Sequence, residues 1–392
     1  MNDKSKLINI PLNYLIVFGI CFYLLLCAVH FSSGRPLWLD ENSVLENIRD
    51  LTPCEIFGPL KNNQGWPRLY LFFVQKVSQV FHYNVYALRS LPFAAMIAAF
   101  FLWLRIYRKE EGVGTEYILF ILAWCGSHFM TYYAAELKHY SADVLVAALF
   151  TWFILTQRKS VEYPKKYGPF LAVGYALLPF LILFSYTGYF FVLIPFYNVL
   201  MGIRQDRRNI FYAYVYTAAM LAAVVISYHF DVRYTLSDKA LRTYWGDYFI
   251  SVSSPGAFLS SFTEGIRNLF SRWFIETKLI RRIMTVFLPF ALYAIVFGGI
   301  RRFKKDKGFI VSLETLTPVL VAGLAAAGVL KIYPFTGARV TLFIAAFIFY
   351  ATIKGIELFR GRVHAVYLSL LTLYVGTLCC TSVYLLVKYI KG

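Results

Sequence analysis

Apolar residues in this chain fall in long unbroken runs separated by short polar breaks, without the period-2 alternation of half-buried strands. A helix needs about 20 mostly apolar residues to cross the hydrocarbon core of a bilayer. Eleven runs approach that length, at roughly 9–30, 86–105, 115–133, 141–157, 167–184, 187–203, 209–229, 283–300, 313–331, 338–354 and 364–387. The pattern predicts an all-α integral membrane protein folded as a single domain over residues 1–392. The first run has no small-residue cleavage site after it and reads as a retained helix.

The polar breaks divide into two unlike sets. Lys4 and Lys6 precede the first run, and "RIYRKEEG" (105–112), "QRKSVEYPKKYG" (157–168), "RQDRRN" (204–209), "RRFKKDKG" (301–308) and "KGIELFRGR" (354–362) follow every second run. Lys and Arg collect in cytoplasmic loops, so this short, basic set and the N-terminus are expected inside. The other set comprises residues 31–85, 132–143, 185–188, 230–282 and 331–339, with 31–85 and 230–282 as long extracytoplasmic loops. "WPRLYLFFVQKVSQVF" (66–81) would upset this count if it crossed. Gln75, Lys76 and Gln79 in its second half make it an amphipathic helix lying at the outer surface.

Composition agrees with a membrane solvent. The chain is 59% hydrophobic and 15% charged, against about a quarter charged in soluble domains. A net charge of +18 suits nucleic acid in a soluble protein, but here the positive-inside bias accounts for it and no nucleic acid partner is expected. The six cysteines, Cys21, Cys27, Cys54, Cys125, Cys379 and Cys380, include no CxxC pair, so neither a zinc site nor a disulfide framework is indicated. No GxGxxG, Walker A or HExxH motif occurs. The basic loops are too short for nucleotide-binding βαβ units, which need about 30 residues each.

Candidate chemistry sits in the outer set. Asp40 and Glu41 follow Trp38 at a membrane boundary. Acidic residues in a first helical turn often only complement the helix dipole. The alternative is a general base just above the bilayer. Glu136, Lys138, His139, Tyr140 and Asp143 form a second cluster, where the plain reading is a solvated turn. Ionisable groups at a span end that face a bundle are, however, functional candidates. One His with scattered carboxylates defines no metal set; no cofactor is called for, and a divalent metal stays an open alternative. Lys331, Tyr333 and Arg339 form a third cluster, read either as snorkelling cations or as a phosphate clamp. Arg267, Arg272, Lys278, Arg281 and Arg282 also run against the positive-inside bias, and an anionic lipid headgroup would explain them. Trp245, in "TYWGDYFISVSSPG", is an interfacial belt residue or a stacking surface for a sugar.

The order of "LDE" (39–41), "QGWPRLY" (64–70), "LRSLPFAAM" (88–96), "YYAAELKHYSA" (132–142), "YWGDYF" (244–249) and "YPFTGAR" (333–339) resembles the bacterial GT-C glycosyltransferases. The order looks like that of the family-39, RgtA-like enzymes, relatives of protein O-mannosyltransferases and of the lipid A aminoarabinose transferase. The resemblance implies a GT-C-like polytopic bundle with juxtamembrane helices in the first outer loop. It implies an inverting transfer from a polyprenyl-phosphate sugar to a lipid, glycan or protein acceptor outside the bacterial inner membrane. Carried over by motif, Asp40 is the base with Glu41 its neighbour, Glu136 is the second acidic position, and Arg339 faces the donor phosphate. Lys138 follows Leu137 where relatives often carry Ala-Arg after the acidic residue, and Pro67-Arg68 replaces a frequent Pro-Pro. No large soluble domain follows the last run, so loops of the membrane domain are expected to recognise the acceptor. Two other classes compete: a lipid or glycolipid transporter or flippase, and a non-catalytic protein that binds lipid-linked glycans.

Overall fold

The computed structural model describes residues 3–162, 164–274, 277–337 and 339–391, and among these every regular element is helical. The first half contains α1 (Asp3–Ser32), α2 (Leu39–Asp50), α3 (Arg68–Val80), α4 (Val85–Glu111), α5 (Thr115–Gly126), α6 (His128–Tyr132), α7 (Tyr140–Glu162), α8 (Pro164–Leu177), α9 (Gly188–Phe191) and α10 (Leu193–Gly202). The second half contains α11 (Arg208–Ser227), α12 (Arg233–Ser237), α13 (Lys239–Tyr244), α14 (Pro255–Ser271), α15 (Lys278–Val286), α16 (Leu288–Tyr293), α17 (Gly299–Lys305), α18 (Leu313–Val329), α19 (Ala345–Glu357) and α20 (His364–Lys391).

Among the described residues, six helices are long and apolar enough to cross a membrane: 12–32, 85–111, 140–157, 208–237, 339–357 and 364–391. Two bent pairs raise the number to eight, 115–126 with 128–135 at 64° and 278–286 with 288–305 at 42°. The first bend falls at Ser127, where the Ser127 hydroxyl and the Phe129 N–H both donate to the Trp273 carbonyl, at 2.8 and 3.4 Å. Pro289 lies just past the second bend, at the start of α16, where its missing N–H costs nothing. The predicted runs at 167–184, 187–203 and 313–331 are helical but short, at 169–183, 188–202 and 313–329. These helices are consistent with a multi-pass membrane protein.

Burial sorts the long helices into layers. The stretches 140–157 and 339–357 are each 83% buried and form the centre, whereas 208–237 is 17% buried and 12–32 is 22% buried. α4 packs along α7, α16 along α19, and α5 between α1 and α20. The sides of α1 and α11 turned outward carry exposed Phe18, Phe211, Leu221 and Val225, which suits a hydrocarbon solvent.

A second, small core lies beside the bundle. Val44 and Ile48 of α2 meet Ile56, Trp66 and the α3 residues Tyr70, Leu71 and Val74, and the cluster closes on Leu88, Leu137 and Ala142. α3 covers 13 residues, or about 20 Å at 1.5 Å per residue. Its buried side holds Gln75, whose amide donates to the Ile48 and Leu51 carbonyls at 3.0 and 2.7 Å. Residues 68–80 are thus a packed amphipathic helix that, with Trp66, ties α2 to the bundle.

One boundary differs from the sequence expectation. The run at 209–229 does not stop there: the helix continues through a π turn and α12 to Ser237. Residues 230–237, assigned to an outer loop, therefore prolong a span. Asp231 is accommodated because it accepts from the Arg68 N–H at 3.2 Å and from the Tyr186 hydroxyl at 2.6 Å.

Candidate functional site

Two ion clusters meet at the start of α2. α1 ends before Gly34, whose φ of 55° turns the chain in the left-handed region. Trp38 is the residue before α2, so Asp40 and Glu41 fall in the first helical turn, where the dipole favours carboxylates. Being adjacent on a helix, they point about 100° apart, and their environments differ completely.

Glu41 is buried. Its two oxygens accept from the Arg89 guanidinium at 2.9 and 2.7 Å, a two-bond fork from α4. It also accepts from the Leu137 N–H at 2.8 Å and lies 3.4 Å from Arg35. Glu136, equally buried, accepts from Arg35 and from the Trp38 indole N–H. Burial and the neighbouring Glu41 push the Glu136 carboxyl up from its usual range, opposed by Arg35 and Trp38. Two buried carboxylates are thus balanced by the buried Arg89 guanidinium and the part-exposed one of Arg35. They clamp the loop after α1, the start of α2, the α4 residue Arg89 and the turn before α7 into one unit.

Asp40 lies in the other cluster, and its side chain is 21% exposed. One of its oxygens accepts from Arg339 at 2.8 Å and lies 3.2 Å from the Lys138 ammonium. Two cations share one carboxylate, so among the described residues this cluster holds excess positive charge. Arg339 also donates to the Tyr244 hydroxyl at 3.2 Å and stands 5.8 Å from the Trp245 ring centre. Lys138 donates to the Gln64 side-chain carbonyl at 3.0 Å and lies 5.8 Å from the Trp66 ring centre. Burial pushes the Lys138 ammonium below the usual lysine range, and Asp40 opposes that shift.

Arg339 is placed by backbone contact. A Cβ on Gly337 would stand 1.7 Å from the Asn268 carbonyl of α14, and one on Gly265 would stand 2.3 Å from the Phe335 ring. Only glycine lets the 333–339 loop and α14 approach this closely. The Phe335 N–H donates to the Tyr248 carbonyl at 2.9 Å, which sets the Tyr244–Tyr248 segment beside the same loop.

A layer of rings lies beneath the open cluster. His139 packs edge-on against Trp66, 5.2 Å between centres, and 4.6 Å from Tyr140. Its Nε2 is 3.7 Å from Asp143, but burial, with Lys138 and Arg339 nearby, outweighs that pull and brings the imidazole down to about 3. Asp143 accepts from Ser185 at 2.6 Å. Tyr333 donates to the Val340 carbonyl at 2.5 Å and braces the loop.

Of the sequence candidates, Asp40, Lys138, Arg339 and Trp245 come together at the open cluster. Glu136 and Glu41 form the closed one, and His139, Tyr140, Asp143 and Tyr333 lie below. Lys331 is not brought in: it is exposed on a residue with φ 55° and has no ion pair in the described structure. The cation that stands with Arg339 at Asp40 is Lys138. Sequence reasoning missed Arg35, Trp38, Gln64, Trp66 and Tyr244 as contacts. The available signal was electrostatic: carboxylates in apolar surroundings require cations, and Arg35 and Arg89 are the cations that flank them. Among the described residues, no three His, Cys, Asp or Glu side chains form a metal-ligand group.

A cavity of about 290 Å³ lies close by, between the end of α11 and the start of α3. Phe57, Leu69, Leu183, Ile226 and Phe230 give it apolar walls, and Arg68 and Asp231 stand at its edge. Arg68 connects it to the open cluster, donating to the Trp66 carbonyl at 3.1 Å.

No family model matches the chain, and searches of curated proteins and of solved structures return no match.

Proposed function

We propose that this chain is a membrane glycosyltransferase of the GT-C type, which transfers a sugar from a polyprenyl-phosphate donor to an acceptor hydroxyl with inversion. The observation that carries the reading is Asp40, a partly exposed carboxylate held between Lys138 and Arg339 beside the rings of Tyr244 and Trp245. The motif order of the sequence agrees with it. The apolar cavity lined by Leu69, Ile226 and Phe230 supports a donor with a lipid tail.

The chemistry follows from charge. Lys138 and Arg339 both bond the Asp40 carboxylate. A donor phosphate competes for Arg339 and Lys138, with charge-assisted bonds each worth about 1.5–3 kcal/mol. That exchange frees the Asp40 oxygen. The acceptor oxygen then bonds to the anomeric carbon and its proton passes to Asp40. The bond from that carbon to the phosphate oxygen breaks, and the lipid phosphate leaves with the electron pair against Arg339. A phosphate is already a good leaving group, so one carboxylate suffices. Trp245 offers a stacking face to the sugar. Glu41, the neighbour of Asp40 in the motif, holds the frame through Arg89 and Leu137.

In this reading all eleven apolar runs cross the membrane, the three short helices among them, in a bacterial plasma membrane. The N-terminus is cytoplasmic and the site faces outward. Turnover is the discriminating test against a non-catalytic glycolipid binder. Purified protein in lipid nanodiscs, given polyprenyl-phosphate sugars and a membrane extract as acceptor source, is expected to release free polyprenyl phosphate. Donor binding without release would assign the chain to the binding class.

A further inference from the structure

The corner between α14 and α15 has no part in the site, yet its chemistry is specific. Residues 264–286 contain five cations, Arg267, Arg272, Lys278, Arg281 and Arg282, against two carboxylates. On α15, Lys278, Arg281, Arg282 and Thr285 are spaced i, i+3, i+4 and i+7, which aligns them along one side. Met284 is buried, and Ile280 and Ile283 pack against the main core, so a second side faces the protein. A third line remains. Leu279 is 68% exposed and Val286 is 47% exposed, and seven residues apart they lie one above the other. Arg282 falls between them, three residues from one and four from the other.

An outward apolar ridge beside a cationic row is the pattern of a helix lying in a membrane interface. The position of α15 fits. It is the first arm of a bent pair, with 288–305 as the second arm, and the apolar run 283–300 begins in its last turn. Lys278, Leu279 and Arg282 therefore stand just beyond the end of that run, on an arm bent away by 42°.

We propose that the α14–α15 corner docks on the headgroups of anionic phospholipids, with Lys278 and Arg282 on their phosphates and Leu279 and Val286 among the upper acyl chains. On the topology proposed above, these cations lie on the side where the positive-inside bias supplies no reason for them, and lipid phosphate supplies one. The docking is independent of glycosyl transfer and of which sugar is moved.

The test places a photoreactive benzophenone amino acid at Val286 in the full chain, reconstituted into vesicles of equal phosphatidylglycerol and phosphatidylcholine. Mass spectrometry reads the lipid adducts after illumination. Phosphatidylglycerol adducts should outnumber phosphatidylcholine adducts. The Lys278→Gln/Arg282→Gln protein should lower that ratio by roughly fivefold per charge removed, and the Lys278→Arg/Arg282→Lys protein, which keeps both charges, should retain it. Adducts in the bulk lipid ratio, a ratio unmoved by the glutamine pair, or adducts to a second protein copy would each overturn the proposal.

Discussion

Adjacent carboxylates separate by role because a helix turns about 100° between them. Asp40 keeps a partly open face toward Lys138 and Arg339, whereas Glu41 is closed in by Arg89. Removing one member of a buried pair leaves an uncompensated charge and costs about 3–5 kcal/mol. Glu41→Gln is therefore expected to lower the melting temperature and yield of the purified protein by more than Asp40→Asn does, because Asp40 is part-exposed. Thermal unfolding of the two variants in one detergent checks this. His139 gives a second residue-level expectation. The folded imidazole titrates near 3, but the unfolded chain takes up a proton below about 6.5. The unfolded state therefore binds more protons between those values, and stability falls as pH drops through that window. The loss from pH 6.5 to 5 is about 2 kcal/mol. His139→Phe should flatten that part of a melting-temperature profile against pH; an unchanged acid limb would assign it to other groups. Which residues surround Asp40 was only partly legible in the sequence. The motif order drew Asp40, Glu136 and Arg339 together, but Arg35 and Trp38 reach Glu136 across 101 and 98 positions of chain. No local pattern reports such a partner.

At the scale of elements, long uniform runs were readable because membrane helices need no periodic stripe to declare themselves. α1, α4, α7, α11, α19 and α20 all fall on predicted runs. What composition hid is where helices bend or continue. The stretch "HFDVRYTLS" reads as loop, yet it is helical because Arg68 and Tyr186 satisfy Asp231. A bend at Ser127 interrupts a run that hydropathy leaves unbroken, since the Ser127 hydroxyl and the Phe129 N–H both bond the distant Trp273 carbonyl. The loop that carries Arg339 depends on a contact no profile shows. Gly337→Ala places a methyl group where the Asn268 carbonyl already stands, so α14 and the loop must separate. Lower thermal stability and weaker donor use are expected together. Gly376→Ala is the control: nothing lies within 4 Å of the added carbon, and alanine favours a helix interior by about 0.5–1 kcal/mol. Equal behaviour of the two variants would show that the close approach does not position Arg339.

For the whole molecule, the proposed topology puts the open cluster and the 31–85 segment on one side and the basic loops on the other. Cys54 is exposed in that segment, so a membrane-impermeant maleimide should label it in intact spheroplasts. A reporter fused after Lys109 should read as cytoplasmic. A reporter that reads outside would invert α4 relative to α3 and scatter the site residues over both faces. The central claim is that Asp40 accepts the acceptor proton in a glycosyl transfer, a contribution of about 10²–10⁴-fold in rate. Its most direct test is mass spectrometry of membrane glycolipids and glycoproteins from cells that lack this chain, carry it, or carry Asp40→Asn at equal membrane level. The account predicts one added sugar mass that appears with the native chain and is absent, or nearly so, in the other two. The same sugar mass at native abundance with Asp40→Asn, and its loss with Glu136→Gln at unchanged stability, would contradict it and move the base to the 132–143 turn.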